Sequence, residues 1–317
     1  MRITYVSRRN RLIYLFVIVC FLATALHGEN DACLSHTTLI GMSGANSEPS
    51  KALTAADFRV TVGGKAASVQ SATPAERPPR VVILLDASAN HDESTWAATQ
   101  RLVDEFLAGF HEVGDFTLLT FDEKVQRFVH DTNRVSLQGA LGEMFPSGKR
   151  ESEAGLVEAV RKGSDSLGAY RQGDAEFLIT TADQIHKEAE QALSQQRVAG
   201  VRLFGASFDQ SRRFGPDRFG VDMTVENYSP LEAVVKASGG LWIWFDMSRQ
   251  DATATVRSVT TAGKSIASLV RNYLTLELRL ATPITKPEKL KIELVKGAKV
   301  KGQDRFATYP QELFPCQ

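Results

Sequence analysis

The chain has 317 residues, 43% of them hydrophobic and 23% charged, with 37 basic side chains balanced by 37 acidic ones. That length and apolar content suffice for one large domain plus a smaller one and exclude a disordered chain. A formal charge of zero leaves no basic excess of the kind a nucleic-acid-binding surface requires.

Residues 1–28 carry Arg2, Arg8, Arg9 and Arg11 without an acid, then the apolar run Leu12 to Leu26, then His27 and Gly28. This is the layout of a signal peptide, with cleavage after Ala25 or Gly28. The run is 15 residues, short of the ~20 that a spanning helix needs, so a retained anchor is the weaker alternative. Cys20 follows Ile18 and Val19 rather than small residues, which argues against lipid attachment there. Losing the leader leaves 33 basic against 37 acidic residues, and the product is expected to be secreted or periplasmic, with no integral membrane segment. Two cysteines remain, Cys33 and Cys316, and an oxidising compartment favours a disulfide between them over two thiols.

Residues 29–76 form an N-terminal β segment. Phe58 to Val62 alternates as a strand, Gly63 and Gly64 make a hairpin turn, and Ala66 to Val69 returns. Residues 77–248 alternate apolar strands with helix-like stretches. The strands are Val81–Leu85, Phe116–Phe121, Arg127–His130, Glu176–Thr180, Val201–Ser207 and Leu241–Phe245. The helices are Glu93–His111, Ser136–Met144, Ser152–Leu167, Gln184–Val198 and Pro230–Ala237. This alternation predicts an α/β, doubly wound, Rossmann-like sheet. Only Asp122 to Gln126 separate the second and third strands, too few for a crossover helix, so one antiparallel edge strand is expected. Residues 249–317 begin with a long helix over 250–271, followed by strands at Tyr273–Leu280, Leu290–Val295 and Lys299–Thr308. A lone hairpin is unstable, so these strands are expected to pack with residues 29–76 in a small β-sandwich-like module.

The stretch Arg77 to Asn90, RPPRVVILLDASAN, resembles the first strand and metal loop of a von Willebrand factor type A (VWA) domain. Five branched apolar residues read as a strand covered on both faces, and the polar cluster that follows sits at its carboxyl end, where doubly wound sheets bind ligands. The segment LTAADFRVTVGG is similar to an element preceding the VWA domain in secreted bacterial proteins of the VWFA-related Acidobacterial-domain family, and Tyr273 matches the start of that family's later YxLxY strand. The resemblance implies a metal-ion-dependent adhesion site, where hydroxyl and carboxylate oxygens from three loops hold Mg²⁺ or Mn²⁺. Asp86 and Ser88 match the first loop, but Asn90 replaces its second serine, offering either an amide oxygen to a ligand or, the favoured reading, the cap of the following helix. The second loop's threonine falls on Ala154, with Ser152 or Glu153 as substitutes after a shift. The third loop's aspartate falls on Thr181, with Asp183 two residues on. Asp86 and Ser88 are therefore the candidate metal ligands of a degenerate site. Asp86 has a second reading, a buried carboxylate bonded by loop amides or by Thr181 that pins the loops without an ion.

Enzymatic signatures fail. His111 and Glu112 lack the second His of a zinc protease helix, the fragments SGKR and AGKS lack the earlier Gly of a phosphate loop, and no GxSxG elbow exists. The aromatic strand Leu241 to Phe245 reads as core. The loop Asp209 to Tyr228 carries Arg212, Arg213, Phe214, Arg218 and Phe219, a composition common at interfaces; a flexible insertion is the alternative. Three functions follow. The first is an exported, non-enzymatic module that binds another protein through its upper loops and needs no cofactor. The second is a Mg²⁺- or Mn²⁺-dependent adhesion protein that takes an acidic group of its partner. The third is an uncharacterised hydrolase.

Overall fold

The computed structural model describes residues 33–43, 53–75, 77–110, 114–149, 152–181, 187–198, 200–209, 230–247, 252–295 and 306–316. The expected leader (1–28), Asp183 and the loop residues Arg212, Arg213, Phe214, Arg218 and Phe219 lie outside them. Thirteen strands form two sheets among the described residues.

The first sheet contains β4 (Arg80–Asp86), β5 (Asp115–Phe121), β6 (Val125–Asp131), β7 (Ala175–Thr180), β8 (Arg202–Asp209) and β9 (Trp242–Asp246), in the order β6-β5-β4-β7-β8-β9. All neighbours run parallel except β6, which returns antiparallel beside β5. The strand β4 explains the layering. Val81, Ile83 and Leu85 alternate with Val82 and Leu84, every one almost fully buried, so each face meets its own helical layer. On one side lie α1 (Glu93–Ala108), α2 (Arg134–Gly142) and α6 (Ala252–Arg271); on the other lie α3 (Glu153–Leu167), α4 (Lys187–Val198) and α5 (Pro230–Ala237). The architecture is thus the doubly wound α/β fold expected from the alternation, including its antiparallel edge. The aromatic strand β9 packs inward, with Trp242 against one layer and Phe245 stacked on Phe208 at 4.7 Å in the other.

The second sheet holds seven strands: β1 (Ser35–Ser43), β2 (Phe58–Val62), β3 (Lys65–Pro74), β10 (Tyr273–Arg279), β11 (Glu288–Leu294), β12 (Phe306–Thr308) and β13 (Glu312–Leu313). Their order is β12-β1-β10-β3-β2-β11-β13, antiparallel throughout. Strands from both ends of the chain therefore share one sheet, and β10 is inserted between β1 and β3. Gly63 and Gly64, at φ of 56° and 80°, supply the left-handed backbone of the two-residue β2–β3 turn. The expected small β module from both chain ends is this one curled sheet. Residues of β1 and of β13, five places apart in the order, line one cavity. The Cys33 thiol hydrogen-bonds to that of Cys316 and pushes the latter's pKa up. The grouping of 250–271 with the C-terminal β segment also needs correction. The apolar face of α6, Val259, Ala262, Ile266, Ala267, Leu269 and Val270, belongs to the α/β core beside α1.

Two buried ionic arrangements fix the lower edge of the parallel sheet. Arg80 meets Asp174 through Nε–Oδ1 at 3.0 Å and Nη2–Oδ2 at 2.6 Å. Arg202, fully buried, donates to the last carbonyls of α6, Leu269 at 2.8 Å and Val270 at 2.7 Å, and to Gly173 at 3.3 Å. Its guanidinium sits 4.5 Å from the Tyr273 ring centroid, and burial lowers its pKa to about 10. A cation on orphan carbonyls at a helix end is favourable, and here it joins the α/β half to the first residue of β10.

Glu176 on β7 faces α3 and α4 with both carboxyl oxygens unpartnered among the described residues. Burial pushes its pKa from 4.5 up to about 8, against a smaller opposing pull from Gln196. Between those values the folded chain keeps a proton that the unfolded chain releases. Stability from this group therefore falls as pH rises across that window, by roughly 1.4 kcal/mol per pH unit. Glu176→Gln is expected to flatten that loss; urea melts of both proteins at about pH 5 and about pH 8 check it.

Candidate functional site

The carboxyl ends of the parallel strands gather four loops around the switch between β4 and β7, where the chain turns from building one wing of the sheet to the other. Asp86 closes β4 there and is fully buried. Its Oδ1 accepts from the Ser88 amide at 2.8 Å, and its Oδ2 accepts from the Thr181 amide at 2.9 Å and from the Thr181 hydroxyl. Thr181 directly follows β7, so this carboxylate spans the switch crevice. His91, its side chain also sealed from solvent, places Nε2 3.7 Å from Asp86 Oδ2, an electrostatic contact too long for a hydrogen bond. The ring meets Trp96 edge-on at 5.4 Å. Burial pushes the Asp86 pKa up, but His91, Thr181 and Ser88 outweigh it and hold the group below the usual carboxylate range.

Neighbouring loops interlock in the same way. Asp122, also buried, accepts at Oδ2 from Ser147 Oγ at 2.5 Å, and at Oδ1 from Gln126 Nε2 at 2.7 Å and the Lys124 amide at 3.1 Å. Burial pushes its pKa up, but these bonds outweigh it and hold the group below the usual range. Backbone bonds from Ser147 N to Ala87 O and from Ala89 N to Lys149 O, both 2.6 Å, stitch the first loop to the one before α3. Gly155 in the first turn of α3 permits the close approach, since a Cβ there would stand 2.1 Å from Asp122 O. Beside this seam Phe145 is 75% exposed, and Lys149 pairs with Glu123 at 2.6 Å.

Of the residues singled out in the sequence, the structure brings Asp86, Ser88 and Thr181 together. Asn90 meets them through its backbone amide, and Glu153 stands apart. Asn90 does not cap α1: Asp92 does, accepting from Thr95 N at 2.7 Å, while Asn90 is exposed and its amide faces Ser88 Oγ at 3.4 Å. Glu153 opens α3 and accepts from the Glu188 amide at 2.7 Å, with Ser152 as the helix cap. His91, Asp122 and Ser147 are the residues that sequence reasoning missed. The polar cluster after β4 extended to His91, and the carboxyl end of β5 carried Asp122, so strand-end position was the available signal. Asp183, the third-loop candidate, lies outside the described residues. The oxygens of Asp86 face donors, Ala154 stands at the hydroxyl position, and no group of three or more His, Cys, Asp or Glu among the described residues is placed to hold a metal.

No protein-family model and no curated protein matches the sequence. Similar solved structures include an aerotolerance-related membrane protein from Bacteroides fragilis bearing multiple mutations to serines, at 17% identity over 61% of this chain and 98% of that one, TM-score 0.43. Another is the conserved hypothetical protein BatB from Bacteroides thetaiotaomicron, at 16% identity over 59% and 100%, TM-score 0.42. A third is a von Willebrand factor type A structure from Catenulispora acidiphila, at 9% identity over 86% and 72%, TM-score 0.41. The α/β half itself is a doubly wound sheet with one antiparallel edge strand.

Thr181→Val removes one donor from a buried carboxylate and is expected to cost about 1–3 kcal/mol. The folded Asp86 pKa lies below its unfolded value. Its contribution is therefore present above the unfolded pKa and is lost as pH falls through the folded one. The variant's acid-unfolding midpoint should consequently move to higher pH, as read by circular dichroism during acid titration.

Proposed function

We propose that the chain is an exported, non-enzymatic recognition protein of the VWFA-related Acidobacterial-domain family, which binds another protein through the loops at the carboxyl edge of its parallel sheet and needs no metal. The observation that carries this reading is the state of Asp86. In a VWA-like fold this carboxylate stands where a cation would be held, and here its oxygens are engaged by Ser88 and Thr181, with His91 beside them. The loops around the switch are thereby tied to one another, a rigid scaffold of the kind on which recognition loops are displayed. Phe145 supplies an exposed aromatic on that edge, the residue class that anchors protein interfaces. No helix among the described residues is long and apolar enough to cross a membrane.

A photo-crosslinking residue at position 145, compared with one at Gln70 on the β3 strand of the other sheet, tests this in extracts of the producing cells with and without chelator. Discrete adducts from position 145 alone, unchanged by chelation, are expected. Adducts that vanish with chelator, together with saturable Mn²⁺ binding lost in Asp86→Asn, would establish the metal-dependent alternative in its place.

Export also bears on the two cysteines, and we propose that Cys33 and Cys316 are bridged in the mature chain. Their hydrogen-bonded thiols favour pairing, as does an oxidising compartment. Protein purified without reductant is expected to resist thiol alkylation when denatured and to take up two alkyl groups after reduction. Two reactive thiols before reduction would refute the bridge.

A further inference from the structure

Away from the recognition edge, a cavity of about 410 Å³ lies between the lower edge of the parallel sheet and the curled sheet. A second of about 690 Å³ adjoins it, and the two share Arg197, Ala237 and Glu312. Both are within the size range of small-molecule sites. Their charged walls are one-sided. Arg171, Arg197, Arg202, Lys236, Lys289 and Lys291 line them against the single carboxylate of Glu312, in a chain whose charges cancel as a whole.

The smaller cavity holds the less compensated part of that charge. In the larger one, Lys236 and Lys291 already pair with Glu232 at 2.5 Å and Glu293 at 2.6 Å. In the smaller one, the buried Arg202 donates only to carbonyl oxygens. Arg197 rests Nη1 on Glu312 at 3.0 Å and lies 5.3 Å from the Phe314 ring centroid. Each guanidinium keeps a buried Nε–H with no hydrogen-bond partner among the described residues. A guanidinium whose carboxylate partner is the half-exposed Glu312 is suited to exchange it for another carboxylate, whose planar geometry it matches. Leu39, Val201, Leu313 and Phe314 add apolar wall beside polar residues such as His36, Thr37 and Gln172.

We propose that this cavity binds a small organic carboxylate with an apolar body, its oxygens replacing Glu312 on Arg197 and its body resting on Leu39, Leu313 and Phe314. Glu312 is then an internal competitor. It occupies the guanidinium from a side chain that is 42% exposed, so a ligand displaces it into water at little cost. Arg202 sets the potential at the base of the cavity.

The test is isothermal titration of 4-phenylbutyrate and of its uncharged amide into the full chain, with Glu312→Gln and Arg197→Gln as variants whose thermal melts are recorded alongside. Saturable one-site binding of the carboxylate is expected, about fivefold tighter in Glu312→Gln, about fivefold weaker in Arg197→Gln, and at least about tenfold weaker for the amide. The opposite signs of the two variants separate a binding role from a loss of fold. No saturable heat, equal affinity for carboxylate and amide, or affinity unmoved in Glu312→Gln would overturn the proposal. Inorganic phosphate binding where phenylbutyrate is silent would overturn its apolar half.

Discussion

The two halves of the chain meet around one sealed guanidinium. Arg202 begins β8 in the α/β half, caps the final carbonyls of α6, and stacks on Tyr273, the first residue of the strand that leads into the curled sheet. A buried cation is tolerated only when its donors are met. Here two of its nitrogens are met by backbone that must be helical for the carbonyls to converge, so the end of α6, the start of β8 and the entry to β10 are specified together. Arg80 and Asp174 extend the same logic along the lower edge of the sheet. Removing either partner would leave the other's charge buried and poorly satisfied.

The opposite edge uses buried charge differently. Asp86 and Asp122 are carboxylates at successive strand ends, each held ionised by donors from loops distant in sequence. In a metal-dependent site a cation would organise such oxygens, and ligand exchange at that cation would couple recognition to a conformational change. When protein donors fill the same place, the loops are organised permanently and the coupling is absent. Here the donors are protein groups from neighbouring loops, and Phe145 stands exposed beside them. The lower edge holds the cavities and the cationic excess. The carboxylate-tied loops and the cavities thus stand at opposite ends of the parallel strands.

Much of this was legible in the sequence because burial patterns are local. The continuous apolar run Val81 to Leu85 could only be a strand covered on both faces, and the short Asp122 to Gln126 connection could only be a hairpin. Strand-end position likewise pointed to Asp86, Ser88 and Thr181. What escaped depended on long-range pairing. The strand β1 is rich in Thr, Ser and Gly and has no clean alternation, and it becomes a strand by pairing with β10 some 240 positions later. The cap of α1 was misplaced by two residues because Asn90 and Asp92 are both good capping residues, and only backbone geometry chooses between them. His91 carried no motif; its place beside Asp86 follows from the tight turn in which its amide reaches Ser88 O at 3.3 Å.

The register of the curled sheet has a further consequence. The chain leaves that sheet at Pro74 and returns to it at Tyr273; Pro74 and Leu274 are paired neighbours on β3 and β10, and the Ala75 amide bonds to Tyr273 O at 3.1 Å. The entire α/β half is therefore an insertion whose entry and exit points are about one strand spacing apart. Such a junction can be gained or lost in a single genetic event without breaking the host sheet, since a short turn would close the gap. The sequence-distant flanks of this protein thus build one curled sheet, joined to the inserted half both by this narrow junction and by the buried Arg202.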